Sequence, residues 1–99
     1  MKVDLNGKVA VVTGGGGILC SVMAKSLAEA GAKVAILDLK EEAAKKVADE
    51  IVKAGGKAIG VAANVLDLES LKKAEAIVKA ELGACDILVN GAGGNYPKG

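Results

Sequence analysis

"KVAVVTGGGGILC", spanning Lys8 to Cys20, joins a run of apolar and β-branched residues to four consecutive glycines and then to a helical pattern. The apolar run has no polar alternation, which is typical of a strand buried on both faces of a parallel sheet. Glycine loses more conformational freedom on folding than any other residue, so four adjacent glycines need a physical reason. Either they form a flexible linker, or the backbone here must come close to a ligand.

The remaining sequence repeats the unit of strand and helix. Apolar runs predict four strands, at residues 9–13, 33–37, 58–62 and 86–89. Helical spacing predicts three helices between them, one from the glycines to Gly31, one at 41–54 and one at 68–82. The apolar positions of these helices are Val22, Met23, Leu27 and Ala30, then Ala44, Val47, Ala48 and Ile51, and finally Leu71, Ala74, Val78 and Leu82.

This alternation predicts an α/β fold, a Rossmann-like doubly wound parallel sheet with right-handed crossovers and strand order 3-2-1-4 that stops after the fourth strand. The 99 residues form one domain, 1–99. The glycine run then lies inside the first turn between strand and helix, so the linker interpretation is disfavoured.

Composition excludes several classes of function. The chain has 13 basic residues, all lysines, 12 acidic residues and no histidine, and it has no basic block with interleaved aromatic residues. Nucleic acid is therefore not an expected partner. No apolar stretch reaches the roughly 20 residues of a membrane span. Cys20 and Cys85 are expected to be buried, reduced thiols in a cytoplasmic protein.

The glycine turn predicts a phosphate site. In a doubly wound sheet the first turn faces the amino terminus of a helix, where backbone N–H groups and the helix dipole favour an anion. A side chain there would keep a pyrophosphate away from the backbone. The alternative is a tight turn that binds nothing, as in flavodoxin-like receiver domains. A phosphoacceptor of that type needs an aspartate where this chain has Thr13.

Two further features extend this interpretation to a dinucleotide. Asp38 ends the second strand, 24 residues beyond Gly14, where a carboxylate can accept hydrogen bonds from both ribose hydroxyls and would repel a 2′-phosphate. This favours NAD over NADP, with Lys40 as the nearby cation that could weaken the preference. The alternative for Asp38 is an ordinary helix cap or turn. A second glycine cluster, "VNGAGGN" at 89–95, follows the fourth strand and would lie beside the first turn.

Together "TGGGGILC", Asp38, "ANV" at 63–65 and "ILVNGAGG" resemble the N-terminal half of the short-chain dehydrogenase/reductase family. Ile18 and Cys20 stand where the family's second and third turn glycines would be. The resemblance implies that Asn64 contacts the adenine amino group, that Asn90 lies against the ribose, and that Thr13 ties the first strand to the second glycine turn. The cofactor-binding residues so implied are Gly14, Gly15, Gly16, Gly17, Ile18, Asp38, Leu39, Asn64, Val65, Asn90, Ala92 and Gly93.

The same resemblance, including "NGAGGNYPKG", extends to the subgroup that acts on sugar acids, the D-mannonate oxidoreductase or fructuronate reductase type. The family's catalysis uses a Tyr-x-x-x-Lys pair, in which the tyrosine transfers a proton. Tyr96 is the sole tyrosine, and it is followed by Pro97 and Lys98 at the wrong spacing. We therefore expect the 99 residues to be the NAD-binding half of a longer, oligomeric dehydrogenase with a small-molecule substrate, inactive alone and prone to association through a bare sheet edge. The alternative is a stand-alone nucleotide-binding or regulatory module without catalysis.

Overall fold

A computed structural model describes residues 4–14, 18–64 and 67–90, with the side chains of Ile18, Leu19 and Asn90 left out. Four strands alternate with three helices along the chain. The elements are β1 (Val9–Thr13), α1 (Ile18–Glu29), β2 (Lys33–Asp38), α2 (Glu41–Lys53), β3 (Lys57–Ala62), α3 (Leu68–Glu81) and β4 (Ile87–Asn90). Every element predicted from the sequence is present, and the boundaries agree within one or two residues.

The strands form one parallel sheet in the order β3-β2-β1-β4, which confirms the predicted topology. β1 lies in the middle, with Val11 level with Ala35 of β2 on one side and with Leu88 of β4 on the other. β2 also pairs with β3, where Asp38 is level with Ala62. Because all four strands run in the same direction, their carboxyl ends lie along one edge of the sheet.

The two central strands are buried on both faces, as the absence of polar alternation predicted. All five residues of β1 are buried, and so are the four middle residues of β2. Alternate residues of these strands serve two separate cores. One core packs the sheet against α1 and α2 and is formed by Ala10, Val12, Ala24, Ala32, Val34, Ile36, Ala44, Val47, Ala48 and Ile51. The other packs it against α3 and is formed by Val9, Val11, Ala35, Leu37, Val61, Ala63, Ala74 and Val78.

The apolar spacing in the sequence predicted the buried residues of some helices better than those of others. The predicted face of α2 is correct, since its four buried residues are the four that the spacing selected. α3 buries Ala74 and Val78 as predicted. In α1, however, Val22 and Met23 are exposed, and Ala24 is the buried residue among the helix side chains that the structure describes. Cys20, Leu27 and Ala28 pack against the same core as Ala24, so Val22 and Met23 lie on another side of the helix.

The cysteines also differ from expectation in one respect. Both are free thiols, and Cys20 is half-buried, but Cys85 is exposed. The prediction that both would be buried is therefore wrong for Cys85, which lies in the short connection before β4 with its Sγ 3.2 Å from the carbonyl oxygen of Ile87. Within residues 4–14, 18–64 and 67–90, no helix is long and apolar enough to cross a membrane.

Candidate cofactor-binding site

The candidate site lies along the carboxyl edge of the sheet. Thr13, at the end of β1, is level with Leu37 of β2 and with Asn90 of β4. Asp38 ends β2 and is level with the last residue of β3. Four strand ends therefore stand in a row, with neighbours roughly 4.8 Å apart. Such a row can support an extended ligand laid across it, with a different group meeting each strand end.

Gly14 begins the first glycine turn and has a backbone conformation that needs glycine. Its φ is +69°, in the left-handed region that other residues adopt at a cost. Its N–H donates to the carbonyl oxygen of Leu37 at 2.7 Å, so the start of the turn is tied to the end of β2. Helix α1 begins at Ile18. The other turn glycines, Gly15, Gly16 and Gly17, lie outside the described residues.

Thr13 connects the carboxyl ends of β1 and β4. It is the buried polar residue of β1, and its Oγ1 donates to the carbonyl oxygen of Val89 at 3.4 Å. Val89 directly precedes Asn90, where the second glycine cluster begins. The family resemblance implied this link from the first strand to the second turn. Ala92 and Gly93 of that turn lie outside the described part of the chain.

Asp38 is half-buried at the end of β2, and both its side chain and its backbone hold the site together. Its Oδ1 accepts the N–H of Lys40 at 3.0 Å, which closes a tight turn into α2. Its carbonyl oxygen accepts the N–H of Ala63 at 2.9 Å. The cap residue of α2 is Lys40, so Asp38 is a turn residue and not the cap. Leu39, between them, is exposed.

The turn role of Asp38 and a ribose role are compatible. A carboxylate has two oxygens with about four acceptor positions, so accepting the N–H of Lys40 does not by itself preclude accepting another hydrogen bond. That bond also restrains the side chain, since Oδ1 must stay within reach of a backbone N–H two residues away. The sequence had left these two roles as alternatives.

Asn64 is the half-buried residue that follows β3, and the start of α3 holds its backbone at both ends. Its N–H donates to Oγ of Ser70 at 2.9 Å. Its carbonyl oxygen accepts the N–H of Asp67 at 2.9 Å. Asp67 caps α3, because its carboxylate accepts the N–H of Glu69 at 3.1 Å. The sequence did not single out Ser70; the start signal of this helix is Asp67 itself, a residue type favoured at the N-cap. Val65 lies outside the described residues.

Asp86 links the central strand β1 to the edge strand β4 at the amino end of the strands. Its Oδ2 accepts the N–H of Val9 at 3.0 Å, and its own N–H donates to the carbonyl oxygen of Val9 at 2.8 Å. This pair of bonds sets the register of β4 against β1, and hence the level at which Thr13 and Asn90 meet. Sequence reasoning assigned Asp86 only to the start of a strand.

The described groups fit a dinucleotide. A glycine with positive φ opens the turn before α1, and a restrained carboxylate ends the neighbouring strand. An anchored asparagine follows the next one. A dinucleotide laid across a doubly wound sheet meets the amino terminus of the first helix with its pyrophosphate and the end of the neighbouring strand with its ribose.

Comparison with known proteins places the chain in a family. The short chain dehydrogenase family model matches residues 8–99. An uncharacterised oxidoreductase of Bacillus subtilis, UxuB, is 53% identical over 94 residues, which make up 95% of this chain and 34% of that protein.

Two solved structures share the fold and differ in cofactor. A protein of Haemophilus influenza, provisionally assigned as a D-mannonate oxidoreductase and crystallised with NAD, superposes with a TM-score of 0.90 at 50% identity and covers 96% of this chain and 34% of its own. A metagenomic short-chain oxidoreductase in complex with NADP superposes with a TM-score of 0.78 at 34% identity, covering 85% of this chain and 38% of its own. This chain thus spans about a third of the length of the relatives it matches. It belongs to the short-chain dehydrogenase family.

Proposed function

We propose that residues 1–99 are the dinucleotide-binding portion of an NAD-dependent oxidoreductase that interconverts a hydroxyl and a ketone on a sugar acid or similar polyol. The observation that carries the proposal is the hydrogen-bonded row at the carboxyl edge of the sheet. There Gly14 is bonded to the end of β2, Asp38 to the start of the segment after β3, and Thr13 to the end of β4. This edge holds the groups suited to a dinucleotide at three neighbouring strand ends.

The proposal gives each part of the row a role. The backbone of the first turn and the start of α1 bind the pyrophosphate, the end of β2 binds the adenosine ribose, the segment after β3 binds adenine, and the second turn lies against the other ribose. The residues are, in that order, Gly14, Gly15, Gly16, Gly17 and Ile18, then Asp38 and Leu39, then Asn64 and Val65, and finally Asn90, Ala92 and Gly93. The nicotinamide of the bound cofactor would take or give a hydride, and the residues of this chain would hold and orient it.

The preference for NAD rests on the charge at the end of β2. A carboxylate at Asp38 would accept bonds from the ribose hydroxyls and would repel the phosphate that NADP carries at the 2′ position. The Haemophilus relative with NAD agrees with this preference, whereas the metagenomic relative holds NADP. The charge of Asp38 is therefore the property to test.

The substrate class is drawn from the Haemophilus relative, whose provisional assignment is to a sugar acid. In this proposal the proton-transferring tyrosine and the substrate contacts belong to a longer, oligomeric protein, and the 99 residues alone do not transfer hydride. A cytoplasmic location is part of the proposal, since free thiols such as Cys20 and Cys85 stay reduced there.

The test is a titration with NAD and with NADP, followed through the backbone amide resonances of Gly14, Asp38 and Lys40. Asp38→Asn is the informative variant, because it removes the charge and keeps an oxygen that can accept the N–H of Lys40. We expect NAD affinity to fall about tenfold, as for the loss of a hydrogen bond to a charged group. Affinity for NADP should rise or stay unchanged.

The control is Asp49→Asn, which removes an exposed carboxylate from α2 away from the strand ends. It should leave both affinities unchanged. If millimolar NAD shifts none of the three amides in the unaltered chain, this portion does not form the site by itself and the proposal fails. Equal losses for Asp38→Asn and Asp49→Asn would show that general electrostatics, and not a ribose contact, governs binding.

A further inference from the structure

The backbone N–H of Asn64, in the segment after β3, donates a hydrogen bond to Ser70, a residue to which the proposed function gives no role. We propose that Ser70 is a positioning residue for the adenine end of the cofactor and acts by holding the backbone of Asn64. This inference rests on the proposed function, since it concerns how one contact of that site is kept in place.

The need for such a support follows from the position of Asn64, two residues beyond the end of an edge strand. Successive N–H groups of a strand point to opposite sides, and the N–H of Ala63 points to β2, where it donates to Asp38. The N–H of Asn64 therefore points away from β2. Among the described strands, no neighbour lies on that side of β3. Ser70 supplies the acceptor, with its Oγ 2.9 Å from the nitrogen of Asn64.

The hydroxyl of Ser70 stands on a rigid element. Ser70 lies one turn before Ala74 and two turns before Val78, so all three share one face of α3. Ala74 and Val78 are buried against the sheet. The packing of that face fixes Ser70 relative to the strands, and the bond to Asn64 transmits that position to the site.

The second backbone group of Asn64 is also held by α3. Its carbonyl oxygen accepts the N–H of the cap residue Asp67 at 2.9 Å. With both its N–H and its carbonyl bonded to the start of one helix, Asn64 has a fixed peptide orientation on each side. The position of its Cα and the direction of its Cα–Cβ bond are then set before the ligand arrives, which lowers the ordering cost of binding. Without Ser70 one of the two restraints is lost, and the N–H is left without its acceptor in a part-buried place.

The experiment separates positioning from general stability by changing the ligand together with the protein. Nicotinamide purine dinucleotide has a hydrogen atom in place of the adenine amino group, so at that position it offers the side-chain amide of Asn64 neither a donor nor an acceptor. Calorimetry of NAD and of this analogue would be carried out with the unaltered chain, Ser70→Ala, Ser70→Thr and Ser26→Ala. The last removes an exposed hydroxyl from α1 and serves as the matched control.

We expect Ser70→Ala to weaken NAD about three- to tenfold, the effect of one neutral hydrogen bond, and to change affinity for the analogue by less than about twofold. Ser70→Thr keeps the hydroxyl and should restore NAD affinity, and Ser26→Ala should change neither affinity. Hydrogen exchange of the Asn64 amide provides a readout in the unaltered, ligand-free chain. That amide should be protected there, whatever the stability of the variants.

Different failures have different meanings. Equal weakening of both ligands by Ser70→Ala, or no weakening of either, overturns the positioning role and leaves the proposed function intact. Rapid exchange of the Asn64 amide in the unaltered chain overturns it as well. If the unaltered chain binds neither dinucleotide, the proposed function itself fails and the inference falls with it.

Discussion

At Gly60 the backbone of β3 lies directly against the backbone of α2. A Cβ built at this position would lie 2.6 Å from the backbone carbonyl carbon of Ala44 and 2.7 Å from the backbone nitrogen of Lys45. The neighbours are backbone atoms, which cannot turn aside as the end of a flexible side chain can. The absent side chain thus lets α2 lie directly on β3, and Ala44 is fully buried as a result.

We expect Gly60→Ala to lower the free energy of unfolding by about 1–3 kcal/mol, the usual cost of overpacking a close-packed contact. The measurement is urea unfolding followed by circular dichroism. Ala62→Val adds carbon atoms to an exposed residue of the same strand and should change stability by less than about 0.5 kcal/mol. A Gly60→Ala protein as stable as the unaltered chain would mean that β3 and α2 can separate at little cost.

At the scale of single residues, the sequence identified candidate functional residues better than it identified their hydrogen-bond partners. The glycine turn and Asp38 were singled out because their chemistry is informative at a known place in the fold. The link from Asn64 to Ser70 was not, since a serine hydroxyl six residues away has no sequence signal of its own. Whether the hydroxyl of Ser70 reaches the N–H of Asn64 depends on how α3 packs against the sheet.

Helices α1 and α2 are joined on the surface by an ion pair between Lys25 and Glu50, whose Nζ and Oε1 lie 2.6 Å apart. The two groups border a cavity of about 580 Å³ between α1 and α2. Gly56, just before β3, also lines this cavity, which lies away from the candidate site. The hydrogen bond from Lys25 and its charge hold the pKa of Glu50 below its ordinary value of 4.5. Both side chains are more than two-fifths exposed, so solvent screens the pair and its effect on stability is small.

The sign of the pH dependence follows from the lowered pKa. A carboxyl whose pKa is lower in the folded state stabilises the fold above its unfolded-state pKa, and this contribution is lost as the pH falls through the folded-state value. We therefore expect Glu50→Gln to lower the melting temperature slightly at pH 7. The difference from the unaltered chain should shrink below about pH 4.5 and should also shrink in high salt.

Melting curves of both proteins between pH 3 and pH 7 provide the measurement. Glu81→Gln, which neutralises an exposed carboxylate at the end of α3, is the control for the change in net charge. A Glu50→Gln difference that persists unchanged at pH 3 would show that the ion pair is not its source.

Helical periodicity predicted the buried face of α2 correctly but not that of α1, and the difference has a physical reason. In α2 the buried face carries valine, isoleucine and alanine while the opposite face carries charged residues, so the contrast is strong. Helix α1 has apolar residues around much of its circumference, and among its described side chains Ala24 is the buried one. Hydrophobicity alone could not select that face, because the exposed Val22 and Met23 are as apolar as the residues that face the core.

At the scale of the whole molecule, the two edges of the sheet are where the chain can pair with another chain. β3 and β4 form the edges of the described sheet. On β4, Leu88 lies on the same face of the sheet as Val11 and α3, yet it is 64% exposed. Unpaired backbone next to an exposed apolar residue favours pairing with another chain.

We expect the 99-residue chain to self-associate as its concentration rises, through the β4 edge. Sedimentation velocity at several concentrations measures this directly. Leu88→Lys places a charge on the edge strand and should reduce association, whereas Ile77→Lys changes an exposed residue of α3 and should not. A monodisperse monomer at every concentration, or an equal effect of the two variants, would contradict the role of the β4 edge.

The sequence by itself determined the order of elements, the parallel sheet, the strand order and the edge at which the functional groups gather. These follow from local patterns: apolar runs without alternation, helical spacing, glycines at turns, and the handedness of the crossovers. Only the tertiary structure decided which side of α1 is buried, that Asp86 bonds with Val9, and that α3 holds Asn64 through Ser70. The bond of Asp86 joins residues 77 positions apart, and the other two depend on how α1 and α3 pack against the sheet. These arrangements are set by how side chains of particular sizes fill the space between helix and sheet, and no local pattern records them.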